Sequence, residues 1–327
     1  MSDTRLFTRA DVRRLLTLDA CIDAVASAFR RQASGADPPA TLLGMHVEGG
    51  GFHAKAAVVG GLFAAKLNAN FPANPARAGL PTIQGLVALC DATDGRLLAI
   101  MDSIEITALR TGAATALAAR HLARADAAVA TICGCGTQGR IQLEALQRAR
   151  PIARAFAYDA DYATAVRFAE ERSAALGIDV RPSRTLGDAA RQSDMCVTCT
   201  PARGPVLGPA DVRPGTFIAA VGADSENKQE LVPELVAASR LVVDNLEQAA
   251  TIGELHHALA LGLVTRAFVH AELGEILAGT KPGRTSDDEI TIFDSTGTAV
   301  QDVAAATVVY ERGCREGRAT TSINLGA

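Results

Sequence analysis

The sequence predicts an α/β protein in which a doubly wound parallel sheet is joined to an α+β portion. Three observations support this class. From Ala127 onward, short apolar runs alternate with helical stretches, the pattern of parallel strands covered by helices. The first of those runs flows directly into a glycine-rich turn, Gly134-Cys135-Gly136-Thr137-Gln138-Gly139. Ahead of them, residues 42–90 hold longer strand-like runs separated by turn signals rather than by helices. The 327 residues are most naturally two domains, at roughly 100–200 residues each.

The elements follow in order. Two helices are expected at the start. Thr8 and Asp11 have capping-box-like spacing, and Thr17 can cap the second helix. That helix places Ile22, Val25, Ala26 and Phe29 on one face. Strands are expected at 42–47, 52–58, 63–68 and 83–90, with Gly49-Gly50-Gly51 as a tight turn and Asp94-Gly95 as a hairpin signal. A long Ala-rich helix over about 104–122 carries one conspicuous charge, Arg110. Further strands are expected at 128–133, 154–158, 178–180, 195–199, 216–221, 241–244 and 290–293. A last helix over about 299–312 follows and can pack back on the first portion. Gly279–Asp288 reads as the best candidate for a flexible loop.

Composition excludes several classes. Apolar residues make up 48% and charged residues 21%, enough for packed cores and against disorder. Alanine dominates the apolar fraction, so close helix packing is expected. The net charge of −4 and the lack of a basic run argue against nucleic acid as a partner. No run of ~18 apolar residues suggests a membrane span. The N-terminus shows no signal-peptide pattern, and seven scattered cysteines read as reduced thiols, so a cytoplasmic location is expected.

The glycine turn sits where a dinucleotide site requires it, between the strand 128–133 and a helix starting near Arg140. The first glycine would make the tight turn. The second would let backbone approach a pyrophosphate, and the third would allow close helix–strand packing. Free N–H groups at the helix start, from Thr137 and Gln138, would face the phosphates. This is the Rossmann-type arrangement. Asp159, 20 residues after Gly139, stands where an acid accepts from the ribose 2′-hydroxyl, which favours NAD, with NADP as the alternative. A plainer role for Asp159 is a helix cap. Thr200-Pro201 ends a later strand, where either a cofactor contact or a plain turn would serve.

Other signals are discounted. Cys196 and Cys199 differ by three on a strand and so should face opposite sides, as buried thiols. No Cys/His set has zinc spacing, so no metal is expected. His256-His257 read as surface residues. No Gly-x-Ser-x-Gly elbow is present.

Several separate segments then resemble the ornithine cyclodeaminase/mu-crystallin family, in its order and over nearly the whole chain. They are Lys66–Asn74, Asp102 with Ile106–Thr111, the glycine loop, Val221–Leu231, and Phe293–Gly297 with Gln301-Asp302. The resemblance implies a homodimer paired through an α+β domain, residues 1–122 with 300–327, which also binds substrate. Residues 123–299 would form the NAD(P)-binding domain, with a cleft between the two for cofactor and a small amino or imino acid. Lys66 matches the family's substrate lysine, and an ammonium in the apolar strand 63–67 is unusual because burial of an unpaired charge is costly. Arg110 matches the carboxylate-binding arginine, and burial of such a group calls for a partner anion. Asp224 matches the acid–base aspartate, with Lys228 four residues on as a partner for a carboxylate or the cofactor. Ser295 matches a position near the nicotinamide. The expected cofactor set is completed by Thr82, Arg110, Thr200 and Val221.

One departure stands out. Many relatives carry an arginine soon after the early proline pair, but here Pro38-Pro39 is followed by Ala40. His53 and Lys55 point to one face of a strand and offer a replacement positive charge and a proton carrier or hydrogen-bond donor; a solvated sheet face explains them equally well. The expected activity is hydride transfer at the α carbon–nitrogen bond of an amino or cyclic imino acid, as a reductase or dehydrogenase. A cyclodeaminase using NAD catalytically and releasing ammonia is the second reading, and a crystallin-like ligand binder the third.

Overall fold

The computed structural model describes residues 3–316 and 321–325. The chain divides into two compact units, Met1–Arg110 with Thr298–Ala327, and Thr111–Gly297.

In the first unit the order is β1 (Thr4–Phe7), α1 (Arg9–Leu15), α2 (Leu18–Ala33), β2 (Thr41–Val47), β3 (Gly50–Val59), β4 (Leu62–Asn70), α3 (Asn74–Ala78), β5 (Ile83–Asp91) and β6 (Leu97–Asp102). Helix α4 (Ser103–Leu122) begins here and continues into the second unit. Both predicted caps form. Thr8 and Asp11 close a capping box on α1, and the Thr17 hydroxyl accepts from Ala20 N at 3.3 Å. The chain does not enter these helices directly: β1 comes first. Its four residues are too few to show periodicity. It is a strand because it pairs in parallel with β6, a long-range contact.

These strands build a sheet in the order β17-β1-β6-β5-β4-β3-β2, where β17 (Ser322–Ile323) pairs antiparallel with β1. β5 and β6 form the hairpin foreseen at Asp94-Gly95, with Gly95 at a φ of 76°. The two faces of the sheet differ. Helix α12 (Ala299–Glu316), four residues longer than expected, lies across β3, β4 and β5 and packs on α1 and α2. The opposite face keeps a cross-strand row of Leu43, Ala54, Leu67 and Leu86, with Met45 opposite Phe52 beside it. Leu43, Met45, Phe52, Leu67 and Leu86 are all exposed.

The second unit runs β7 (Val129–Cys133), α5 (Thr137–Ala149), β8 (Arg154–Tyr158), α6 (Tyr162–Leu176), β9 (Asp179–Pro182), α7 (Leu186–Ala190), β10 (Met195–Thr198), β11 (Arg203–Leu207), β12 (Phe217–Ala220), β13 (Gln229–Leu231), α8 (Pro233–Ala237), β14 (Arg240–Val243), α9 (Leu246–Ile252), α10 (Glu254–Ala260), β15 (Ala271–Glu272), α11 (Leu273–Leu277) and β16 (Thr291–Asp294). The main sheet is parallel, in the order β15-β14-β16-β12-β10-β7-β8-β9. The direction of winding reverses between β7 and β10, which is where open α/β sheets bind ligands. This is the predicted doubly wound class.

In this unit three short strands were not foreseen. β11 and β13 form a separate two-stranded ribbon, and β15 adds two residues to the sheet edge. Each is too short for an alternation signal. The alanine-rich α4 packs closely, as composition suggests: a Cβ on Gly112 would come within 2.5 Å of Ile141 on α5. The segment Gly279–Asp288 is irregular, but it is laced down rather than loose. The Arg284 guanidinium donates to the carbonyls of Leu122, Ser286 and Glu289, and its backbone N–H to His121 O. His256 and His257 are half-buried rather than surface residues. His257 is fixed through Nε2 to Lys228 O at 2.8 Å.

Candidate active site

The first unit holds a buried ion cluster. Strand β4 turns Lys66 toward the face covered by α12, and α12 answers with Asp302. The Lys66 ammonium lies 2.8 Å from Asp302 Oδ1 and 2.7 Å from Oδ2. Arg110, near the middle of α4, places Nε 2.9 Å from Asp302 Oδ1 and donates from Nη1 to Gln301 Oε1 at 2.8 Å. Lys66, Arg110 and Asp302 are 4%, 5% and 2% exposed, so each charge has left water and needs the others. Burial works against ionisation of Asp302, yet Lys66 and Arg110 outweigh it and hold the carboxyl below its ordinary range. Burial also pushes the Lys66 ammonium down to about 7, against the pull of Asp302 and with repulsion from Arg110 and Lys55.

Asp302 is therefore the partner anion that the burial of Arg110 required. Sequence reasoning did not assign it a role, because its helix lies 236 residues beyond Lys66. Lys55 stands directly across from Lys66 in the β3–β4 ladder, and His53 across from Asn68, so both share the face of Lys66. Both are half-buried rather than solvated. The His53 ring packs edge-on against His46, with centroids 6.2 Å apart. Thr82 lies in the turn before β5, where its carbonyl accepts from Phe71 N.

The second unit holds the glycine turn at the β7 end of the switch point. Gly134 has a φ of 103°, and a Cβ there would lie 2.8 Å from Cys199 O. A Cβ on Gly139 would come 2.2 Å from Gly134 O, so the start of α5 packs on the turn only because this residue is glycine. Gly136 caps α5 without a side chain and has nothing within 4 Å of its Cβ position. The N–H groups of Thr137 and Gln138 therefore open the helix beside free space. These residues fit a pyrophosphate.

Asp159 ends β8. Its Oδ2 accepts from Cys135 N in the glycine turn at 2.9 Å, and its Oδ1 from Asp161 N at 3.0 Å. The helix-cap reading fails, since Asp161 caps α6 through Ala163 N. Thr200 follows β10, but its hydroxyl and N–H go to Glu230 Oε1, at 2.7 and 2.6 Å. Val221 follows β12 and donates to Thr198 O. Asp224, in the same loop, is 53% exposed on its side chain and pairs with Lys228 at 2.6 Å. Ser295, just past β16, is buried, and its Oγ has no hydrogen-bond partner.

The cysteines around this turn are poor nucleophiles. Burial raises the Cys135 and Cys196 thiols to about 12, and those of Cys133 and Cys199 well above their ordinary value. Among the described residues, no group of three or more His, Cys, Asp or Glu could hold a metal ion. No described helix is long and apolar enough to cross a membrane.

A parallel doubly wound unit with an anion cradle at its switch point, alongside a unit with a buried cation pair, defines a dinucleotide-binding α/β protein. The family model for the ornithine cyclodeaminase/mu-crystallin family matches residues 2–317, and the chain belongs to that family. An alanine dehydrogenase of Archaeoglobus fulgidus is 42% identical over 312 residues, which is 94% of this chain and 95% of that one. Among solved structures, an archaeal alanine dehydrogenase dimer with bound NAD has a TM-score of 0.94 at 41% identity, covering 99% of this chain and 100% of that one. The Δ1-pyrroline-2-carboxylate reductase of Thermococcus litoralis, in complex with NADH and L-proline, has a TM-score of 0.92 at 34% identity, covering 98% and 100%.

Proposed function

We propose that the chain is an NAD-dependent enzyme acting at the α carbon–nitrogen bond of a small amino or cyclic imino acid, as an imino-acid reductase or amino-acid dehydrogenase. The buried charge count carries this reading: two cations, Lys66 and Arg110, share one carboxylate, Asp302. With Lys66 protonated, one positive charge is left over among the described residues of the cluster, in a place where unbalanced charge is costly. A substrate carboxylate would complete the balance, and the planar guanidinium of Arg110 suits its recognition. Lys55, across from Lys66, adds positive potential on the same face.

The residues that would hold NAD are Gly134, Gly136, Thr137, Gln138 and Gly139 at the pyrophosphate and Asp159 at the ribose, with Val221 and Ser295 in the loops beyond β12 and β16. When bound, NAD supplies the hydride acceptor, or in reduced form the donor, for the α carbon. Asp224 would then give or take the proton on nitrogen, with the Lys228 ammonium as its partner at 2.6 Å. Residues 123–299 as the cofactor domain, and residues 1–122 with 300–327 as the substrate and pairing domain, belong to the same reading.

A homodimer and a cytoplasmic location complete it. The exposed apolar face bearing Leu43, Leu67 and Leu86 is the kind of surface that marks a protein interface, and the archaeal relative is a dimer. All seven cysteines are free thiols, in keeping with a reducing compartment.

The test is a substrate panel on the purified protein. Stoichiometric NADH oxidation with pyrroline-2-carboxylate, piperideine-2-carboxylate, or pyruvate plus ammonia supports the reductase reading. Ammonia released from ornithine or lysine with trace NAD and no net NADH would favour cyclodeamination, the activity in the family's name. Saturable ligand binding without any turnover would overturn both.

A further inference from the structure

Glu230 is completely buried, at 0% exposure, on the short strand β13. Both of its carboxylate oxygens are committed, and to different loops. Oε1 accepts from Thr200 N at 2.6 Å and from Thr200 Oγ1 at 2.7 Å, while Oε2 accepts from Gly222 N at 2.7 Å. Thr200 belongs to the loop after β10, beside the glycine turn: a Cβ on Gly134 would lie 3.1 Å from Thr200 Cγ2. Gly222 opens the loop after β12 that carries Asp224, and Asp224 N donates back to Gly222 O at 3.0 Å. A Cβ on Gly222 would lie 2.4 Å from Thr200 O and 2.5 Å from Glu230 Cδ, so the three residues interlock.

The clamp is itself held. Glu254, at the start of α10, accepts from Glu230 N at 2.7 Å and Leu231 N at 3.1 Å. The next residue, Leu255, donates to Asp294 Oδ2 at 2.9 Å, and Asp294 immediately precedes Ser295. Asp244 takes up Thr296 Oγ1 at 2.8 Å and Gly297 N at 2.6 Å. Buried carboxylates met by backbone and hydroxyl donors thus tie down the loops at the carboxyl ends of β10, β12 and β16. Burying an ionisable acid is costly, and a strand residue needed only for packing would be apolar.

We propose that Glu230 is a positioning residue, a two-sided clamp that sets the Asp224 loop against the Thr200 loop. The inference rests on the proposed function, in which Asp224 moves the proton and the glycine turn holds NAD. Its consequence is asymmetric. In Glu230→Gln the remaining carbonyl oxygen goes to Thr200, where two donors converge. The amide NH2 is left facing the Gly222 N–H, donor against donor. The Asp224 loop is released, and the cofactor side keeps its bonds.

The test is steady-state kinetics and NADH fluorescence titration on the full chain, with a substrate that the wild-type protein turns over. Glu230→Gln should lower kcat by roughly tenfold to a hundredfold and leave NADH affinity within about threefold. Thr200→Val, which removes the hydroxyl donor on the other side and keeps the backbone one, should weaken NADH binding more than it lowers kcat. It serves as the decisive variant if Glu230→Gln does not fold. Loss of thermal stability with unchanged kcat and KM in Glu230→Gln would overturn the proposal, and so would equal effects on kcat and NADH affinity in Thr200→Val. A wild-type protein that binds no NADH would sink the functional reading itself.

Discussion

Replacing Asp302 with asparagine tests the buried cluster most directly. The substitution keeps shape and removes the one carboxylate that Lys66 and Arg110 share at 2.7–2.9 Å. Breaking a buried pair from one side costs about 3–5 kcal/mol, because uncompensated charge stays behind. That loss should depend on pH. The Lys66 ammonium is already down to about 7, against 10.5 for an ordinary lysine, and Asp302 is the group that pulls it upward. Without Asp302 it falls further, by ~1.4 kcal/mol for each unit. Near pH 6 the wild-type cluster keeps Lys66 charged, whereas the variant must either bury that ammonium without its counter-ion or give up its proton, so most of the cost is present. Above about pH 8 to 9 Lys66 is neutral in both folded proteins, and the difference shrinks to the lost contact with Arg110. Urea unfolding followed by far-UV circular dichroism suits a chain with no tryptophan. At roughly 3 kcal/mol per M of urea, the midpoint at pH 6 should fall by about 1 M or more. A loss below about 1 kcal/mol at pH 6, or one equal at pH 6 and 9, would refute the assignment of Asp302 as counter-ion.

Binding of a carboxylate substrate or product near pH 8 should draw a proton onto Lys66, because the added negative charge restores its ammonium form; calorimetry in buffers of different ionisation enthalpy reads this uptake, and none would contradict it. Gly139→Ala forces a Cβ to within 2.2 Å of Gly134 O, so NADH affinity should fall more than about tenfold with a stability loss of ~1–3 kcal/mol. Asp224→Asn alters a half-exposed side chain, so the fold should hold and NADH should still bind while turnover drops roughly a hundredfold or more; equal loss of binding and turnover would show that its role lies elsewhere. Asp159→Ser removes the acceptor for Cys135 N as well as the carboxylate proposed for the ribose, so total affinity should fall while the NADP-to-NAD preference rises; an unchanged ratio in competition kinetics would deny it the ribose role.

What could be read from the sequence was local. The glycine turn declares itself because three backbone requirements fall within six residues; the positive φ of Gly134 and the close approach of Gly139 to Gly134 O meet two of them, and Gly136 faces open space. The caps at Thr8 and Thr17 are likewise short-range hydrogen bonds. The parallel sheet was legible because its central strands, β7, β10 and β12, are short, buried and mostly apolar runs. What escaped was set at long range. β1 exists through its pairing with β6, and β17 through its pairing with β1. Asp302 looks like an ordinary polar residue in an alanine-rich helix until the fold brings it under Lys66. Glu230 sits inside a segment that resembles the family, yet only the register of two distant loops reveals which atoms it holds.

The helix that supplies Asp302 also sets an order of events during synthesis. Lys66 and Arg110 leave the ribosome long before residue 302 exists, and the whole of Thr111–Gly297 is made in between. The nascent first unit must wait, with its sheet face uncovered and its cations solvated, while the parallel sheet can already form. Chains truncated ahead of Ala299 would therefore hold a finished nucleotide fold beside an unfinished partner, a natural target for chaperones.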